Sequence, residues 1–506
     1  MGRVGRAVAG VAAAGAALAT TEIVGAVVAR SRPSVLDAVA QRLVDVLAGP
    51  LEQQAIRWFG THDKQALLVG IVAVALGIGA ALGLAAYRWP WTGPVGFAVF
   101  AGVGVLAVWR DPTAPIGRGA LAAALGAALG AVALWGLSPP RGRAPPDDEP
   151  QAGRRHLLLG SGAVAAAAAL GGGWTRRLRT GRADAFTRAA GVLPRPRRAV
   201  RPPSASPFAL DGLPTYETPI ADFFRIDTEI YVPRVEVATW TLAITGLVDH
   251  PRTYTYDDLL AMPMVEEMVT LACVSNDVGG HLVANARWLG VPLRDLLGPA
   301  GVRPEGDQIV GRAVDDFTVN VATATALDGR VAMVAVGMNG EPLPVDHGYP
   351  ARLVVAGQYG YASATKWLRE LQLTRRDDQK SYWVALDWAK EGPVKLQSRF
   401  DVPQAGAQLT AGPVHLAGMA WAPSIGIARV QVQIDNGPWH DAELGTVVSA
   451  DTWVHWSYVW TEASKGDHVA AVRATDRRGN VQTDVPTTPK PSGATGWHYR
   501  SFSVVR

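Results

Sequence analysis

The segment TLACVSNDVGG, residues 270–280, holds Cys273, the only cysteine in 506 residues. A lone thiol cannot close an intramolecular disulfide, so it is either a small buried core residue or a group kept for its chemistry. The preceding VTLACV reads as a buried strand, and SNDVGG as the loop that ends it. A thiolate at a strand end is a soft, strongly donating ligand suited to a redox metal, with room on the loop side for a bulky group. Zinc suits the pattern poorly, because one cysteine with the scattered His281 and His347 lacks the close ligand spacing of a structural zinc site.

Two unlike stretches of chain must position this thiol. Residues 1–175 are dominated by Ala, Gly, Val and Leu, whereas the remainder has ordinary globular composition. Apolar runs cover Ala7–Ala29, Ala66–Tyr87, Val95–Trp109, Gly119–Leu137 and Leu157–Trp174, each near the ~20 residues that cross a bilayer core. Five membrane spans are expected, with Glu22 the one acid inside a span. Of the ten histidines only His62 and His156 precede residue 200, and neither lies in a span, so haem held there by paired histidines has no ligands. The membrane part reads as an anchor or docking surface.

The fifth span follows the linker SPPRGRAPPDDEPQAG and is preceded directly by Arg154 and Arg155. That pair before a weakly apolar stretch resembles an internal twin-arginine export signal, a route for folded, cofactor-loaded domains. With Arg3, Arg6 and the linker arginines cytoplasmic, five spans place everything after Trp174 outside. Thr175–Arg201 carries nine arginines and one aspartate, which by charge alone would prefer the cytoplasm; a basic tether can instead lie on anionic headgroups. The net charge of +4 is largely this tether, and without a recognition motif or interleaved aromatics it implies no nucleic-acid partner.

From Phe208 onward three ordered segments carry a specific resemblance. FFRIDTEIYVPRVEVATWTLAITGLVDHPRTYTYDDLLAMP, TLACVSNDVGGHLVANARWLGVPLRDLL and MNGEPLPVDHGYPARLVVAGQYGYASATKWLRELQL together resemble the molybdopterin domain of the sulfite oxidase family. The resemblance implies a molybdenum-molybdopterin cofactor, with Cys273 as the thiolate ligand of molybdenum. It further implies that His347, Arg352 and Lys366 contact the pterin and its phosphate, and that Phe224 and Arg225 form the aromatic-arginine pair beside the metal centre. Tyr382 falls roughly where the family has its active-site tyrosine, although a Tyr in a Tyr-Trp pair is equally suited to packing. Two departures concern substrate: the family follows its cysteine with AGNRR, where this chain has Asp277 and Val278 in the arginine positions, and Asp227 replaces the histidine of RNH. A strongly anionic substrate is thereby less favoured.

The last hundred residues alternate apolar and polar positions between Gly, Asn and Asp turns, as a β-sandwich does. Trp421, Trp439, Trp453, Trp456 and Trp460 are expected to fill its core. The resemblance makes this an immunoglobulin-like dimerisation domain and implies a homodimer. The expected architecture is α+β: a helical membrane anchor over residues 1–175, a basic Pro-rich linker over 176–205, a mixed α/β molybdopterin domain over 206–395 and the sandwich over 396–506. The expected function is a membrane-anchored oxidoreductase, its catalytic domain outside the cytoplasm, transferring an oxygen atom to or from a small molecule. Electrons pass to or from another protein or a quinone. A membrane-tethered receptor with a degenerate cofactor domain and a dedicated electron-transfer subunit are the competing classes; retained Cys273, Arg225, Arg352 and Lys366 argue against the first, and missing haem and iron-sulfur ligands against the second.

Overall fold

The computed structural model describes residues 2–28, 34–47, 63–111, 116–137, 192–203, 208–229 and 231–505. The fifth apolar run and the Arg154–Arg155 pair lie outside the described residues. The chain forms two compact units: Met1–Arg188 with Thr228–Arg234, and Ala189–Asp227 with Val235–Arg506.

Among the described residues of the first unit, four helices are long and apolar enough to cross a membrane: Arg3–Val28, Asp63–Ala86, Thr92–Trp109 and Ile116–Leu137. They pack through small residues, as membrane helices do when hydrophobic burial offers no driving force between them. A methyl group on Gly10 would run into the backbone of Gly79, so only glycine lets the first two of these helices approach this closely. The apolar runs do not reveal a shorter amphipathic helix, Val35–Leu47. Ser34 and Asp37 cap its start reciprocally, each side chain accepting from the other's backbone N–H at 3.1 and 3.0 Å. The Glu22 carboxylate accepts from the Leu36 N–H at 3.4 Å, which gives the one acid in a span a structural partner.

Among its described residues the second unit holds four sheets. One consists of β1 (Thr241–Gly246), β2 (Arg252–Thr255), β5 (Gln308–Ala313), β6 (Thr318–Ala322) and β10 (Leu368–Thr374), in the order β2-β1-β10-β5-β6, with β1 and β10 parallel. A second, wholly antiparallel sheet pairs β3 (Val265–Ala272), β4 (Val283–Pro292), β7 (Ala332–Met338) and β8 (Glu341–Pro342), with β9 (Arg352–Val355) also on β7. Leu242, Ile244, Leu371 and Leu373 from the first sheet and Leu289, Val291, Val334 and Leu353 from the second share one core, so the two sheets bury their apolar faces against each other. β3 and β4 read as near-continuous buried runs because both faces are covered.

The C-terminal part is a two-sheet sandwich. One sheet orders β11 (Gln397–Val402), β13 (Val414–Trp421), β17 (Val454–Trp460) and β16 (Glu443–Leu444). The other orders β12 (Ala407–Leu409), β19 (His498–Val504), β18 (Gly466–Asp476), β14 (Ile427–Ile434) and β15 (Trp439–Asp441). Phe400, Leu416 and Trp456 face Val430, Val472 and Phe502 across the interior. The tryptophans divide differently from expectation. Trp456 is central and Trp460 packs at the core's edge, but Trp421 and Trp453 leave it for a cluster with Ala272, Val274 and Val283, at and beside the ends of β3 and β4. Trp439 lies half-buried with the Arg473 guanidinium 4.1 Å from its ring centre. Alternation along a strand tells which residues are buried, not which neighbour buries them.

Candidate cofactor site

Cys273 follows directly after β3, and its own N–H donates to the Leu282 carbonyl at 2.9 Å. The loop between them is folded on itself: Asn276 N–H donates to the Cys273 carbonyl at 3.1 Å, and the Asn276 side chain accepts from Leu282 N–H at 2.8 Å. The thiol is buried, and burial pushes its pKa up against the lowering effect of hydrogen bonds from Ser275. A buried neutral thiol is inert as a nucleophile; a bound cation would be needed to hold it as thiolate.

A group of cations is assembled on the turn from Val345 to Arg352. His347 ends a short 3-10 turn, Gly348 takes a left-handed φ of 110°, and Arg352 opens β9. A Cβ on Gly348 would stand 3.1 Å from Arg352 Cβ and from Lys366 Cα and Cβ, so the turn needs glycine for both conformation and space. Arg352 is buried; its Nη1 donates to the His347 carbonyl at 3.1 Å, its guanidinium lies 4.8 Å from the Trp288 ring centre, and among the described residues its Nε has no partner. Burial lowers its pKa to about 9. Lys366 is lowered to about 8, first by burial, despite a 2.8 Å ion pair with Asp227. His347 is lowered to about 4 by burial and then by Arg352 and Lys366, so it is neutral here.

Arg225 closes the group from the front. Its Nε reaches Asp227 and its Nη1 reaches Asp346, each at 3.0 Å. Burial works against its charge, but the two carboxylates outweigh it and raise its pKa. Phe224 stacks on Phe223 at 5.3 Å, and Phe223 meets the His347 ring edge-on at 5.5 Å. Thus Phe224, Arg225, His347, Arg352 and Lys366, far apart in sequence, form one connected assembly. Tyr382 is placed at the start of a four-residue helix, with its ring against Phe317 at 5.5 Å and Trp383 at 5.1 Å.

Three residues were not singled out from the sequence as members of this site. Asp227 was legible only as a departure from a motif, yet it bridges Arg225 and Lys366. Asp315 is raised to about 6, chiefly by burial, with Asp227 raising and Lys366 lowering it, and its Oδ2 has no partner. Tyr359 is the tyrosine electrostatically next to Cys273: burial lifts its hydroxyl to about 12, and Cys273 adds to that shift. Nothing in the local sequence marks Tyr359 out, since its closeness to the thiol is set by tertiary packing.

The arrangement suits a large anionic cofactor. Among the described residues the buried Arg352 guanidinium pairs with no carboxylate, and a phosphate would supply the charge and acceptor oxygens for its fork and for the nearby Lys366. Among the described residues no three His, Cys, Asp or Glu side chains converge as a metal site, so a metal beside Cys273 would depend on ligands from the cofactor itself.

Residues 229–383 match the family model described as oxidoreductase molybdopterin binding domain, a span that includes Cys273, His347, Arg352, Lys366 and Tyr382. An uncharacterised oxidoreductase of Bacillus subtilis, YuiH, is 33% identical over 170 residues, covering 33% of this chain and 82% of that protein. The mitochondrial sulfite oxidase of Rattus norvegicus is 30% identical over 295 residues, covering 49% of this chain and 53% of that protein. This chain belongs to the sulfite oxidase family of molybdopterin oxidoreductases. It spans about half the length of the sulfite oxidases it matches. Among solved structures, the sulfane dehydrogenase SoxCD of Paracoccus pantotrophus is 24% identical, with a TM-score of 0.48 over 58% of this chain and 84% of its own.

Proposed function

We propose that the protein is a membrane-anchored molybdenum-cofactor oxidoreductase that transfers an oxygen atom to or from a small molecule other than sulfite. When bound, the cofactor supplies the two-electron redox change. Cys273 would be the sole protein ligand of the metal. His347, Arg352 and Lys366 would hold the pterin and its phosphate, with Phe224 and Arg225 beside the metal centre and Tyr382 in the active-site tyrosine role. The observation that carries this reading is the Arg352 guanidinium, enclosed and without a carboxylate partner, in the same compact unit as the buried thiol.

Each group has a physical task. Arg352 and Lys366 neutralise phosphate charge. Neutral His347 offers one ring donor and one acceptor without adding to the positive field. Asp227 bridges Lys366 and Arg225 and so holds both in place. The four apolar helices support anchoring, a separate protein or a quinone would exchange electrons, and the C-terminal sandwich would serve as the homodimer contact. The catalytic domain would lie outside the cytoplasm after twin-arginine export. A degenerate receptor would have no reason to keep a guanidinium buried without a counter-ion, since that burial costs several kcal/mol per ion.

Metal analysis of the purified full-length protein tests the reading. Molybdenum at about one per chain, lost in Cys273→Ser with the fold and turnover compared side by side, is the expected result. Full activity of Cys273→Ser with any accepted substrate would return Cys273 to a packing role.

A further inference from the structure

The loop that carries Cys273 is gripped from outside its own domain. Arg399 of β11 donates from Nη1 to the Gly280 carbonyl at 2.7 Å, while its Nε holds Asp401 at 3.0 Å. Both side chains are almost wholly buried, at 4% and 5% exposure, so this is a fixed strut and not a surface ion pair. Beside it the His498 ring of β19 lies over Gly279, which has φ 76° and no room for a Cβ; the ring is locked by Phe400 N–H donating to Nδ1 at 3.0 Å. At the other end, Thr270, three residues before the cysteine, donates its N–H to the Asp451 carbonyl at 2.9 Å. Its hydroxyl accepts from Trp453 N–H at 2.8 Å. Between these two holds, Ala272 and Val274 pack among Trp421, Trp453 and Met419 of the sandwich.

We propose that the C-terminal sandwich is a structural part of the metal centre, clamping the Cys273 loop at Thr270 and at Gly279–Gly280, with Arg399 as the positioning residue. The proposal rests on Cys273 being the metal ligand, but the clamp itself is a property of the polypeptide. Within the loop, the Cys273 N–H bonds the Leu282 carbonyl, Asn276 bridges Cys273 and Leu282, and the Gly280 N–H donates to the Asp277 carbonyl, while Ser275 and Asp277 stay exposed; Arg399 and His498 add the hold on Gly279–Gly280 that comes from outside the loop. A thiolate held at two flanking points is pre-organised, which a metal with a single protein ligand needs most.

Because Cys273 is the only cysteine, alkylation by a small thiol reagent reports on this loop alone. The test uses the full-length chain produced without cofactor. Arg399→Met combined with Asp401→Asn removes both members of the strut's ion pair together. Labelling should accelerate roughly tenfold or more, the size expected from losing a charge-assisted hydrogen bond, at a preserved unfolding midpoint. Arg399→Lys, which keeps one donor, should fall between the two. Should the paired variant fail to fold, His498→Ala, which breaks no ion pair, decides in its place. Labelling within twofold of the parent in the deciding variant overturns the proposal. Labelling involves no metal, so this result stands apart from the molybdenum content of Cys273→Ser, which tests the function itself.

Discussion

The Arg352 guanidinium donates to the backbone carbonyl of His347, five residues earlier, and among the described residues no carboxylate lies within ion-pair distance of it. Local backbone geometry therefore fixes this charge in place without neutralising it. The cofactor-free protein carries a buried cation whose desolvation is offset in part by the His347 carbonyl and the face of Trp288.

Replacing Arg352 by Met should separate stability from cofactor retention. In cofactor-free protein the variant should be as stable as the parent or more stable by roughly 1–3 kcal/mol, because an apolar side chain of similar length removes an uncompensated buried charge. Molybdenum content should nevertheless fall to near zero. Thermal unfolding of the cofactor-free protein and elemental analysis of the loaded protein give the two readings, and a variant that loses both stability and metal would make Arg352 an ordinary packing residue.

Acid should weaken the cofactor-free fold before the carboxylates titrate. His347, His455 and His498 are each lowered from 6.5 to about 4, in every case chiefly by burial. A depressed histidine contributes stability that is complete above the unfolded pKa, so the unfolded chain binds extra protons as pH falls from about 6.5 to 4, and stability is lost across that window. Asp315, raised to about 6, and Asp401 and Asp451, both raised chiefly by burial, act oppositely, since the folded form takes up their protons first. The three imidazoles, each displaced across most of the window, leave a net loss by pH 4. Denaturant midpoints measured at pH 7, 5.5 and 4 should decline steadily. A flat profile would mean these imidazoles are solvated.

The strand-then-loop setting of Cys273 and four of the apolar helices were legible because each is written in consecutive residues. The cation group was legible only as separate motif matches. Its connection through Asp227 joins positions 139 apart, and no local pattern records that Lys366 will meet it. The division of the tryptophans was illegible for the same reason: Trp421 and Trp456 both alternate correctly within their strands, yet one faces the thiol-bearing strand and the other the sandwich interior. Helix Val35–Leu47 escaped a reading tuned to continuous apolar runs, because its apolar residues lie on one face only.

Gly348→Ala should damage the site more than its size suggests. Alanine at φ 110° is strained, and its Cβ would press on the backbone-proximal atoms of Arg352 and Lys366, which cannot rotate away. A loss of about 2 kcal/mol or more is expected, with reduced molybdenum content in whatever protein folds. Unfolding curves that match the parent's would show that the turn relaxes, and would remove Gly348 from the list of residues that shape the cation group.

Sulfite should be a poor substrate, and the reason can be tested by restoring charge. Asp277 and Val278 stand where the family's cysteine motif has two arginines, and Asp277 is exposed on the Cys273 loop. The nearby Arg399 cannot substitute, because Asp401 neutralises it and the Gly280 carbonyl occupies its Nη1. Changing Asp277→Arg and Val278→Arg together makes the local charge more positive by three units, since the first alters it by two and the second by one. Sulfite kcat/KM should rise roughly tenfold or more, mainly through KM, and the gain should shrink with added salt as a screened electrostatic effect does. Both positions lie in the loop and not in β3, so the fold and the molybdenum content should be unchanged. Saturable sulfite oxidation by the unaltered protein at low micromolar concentration would defeat the argument, because Arg225, already shared between Asp227 and Asp346, would then have to collect the anion alone.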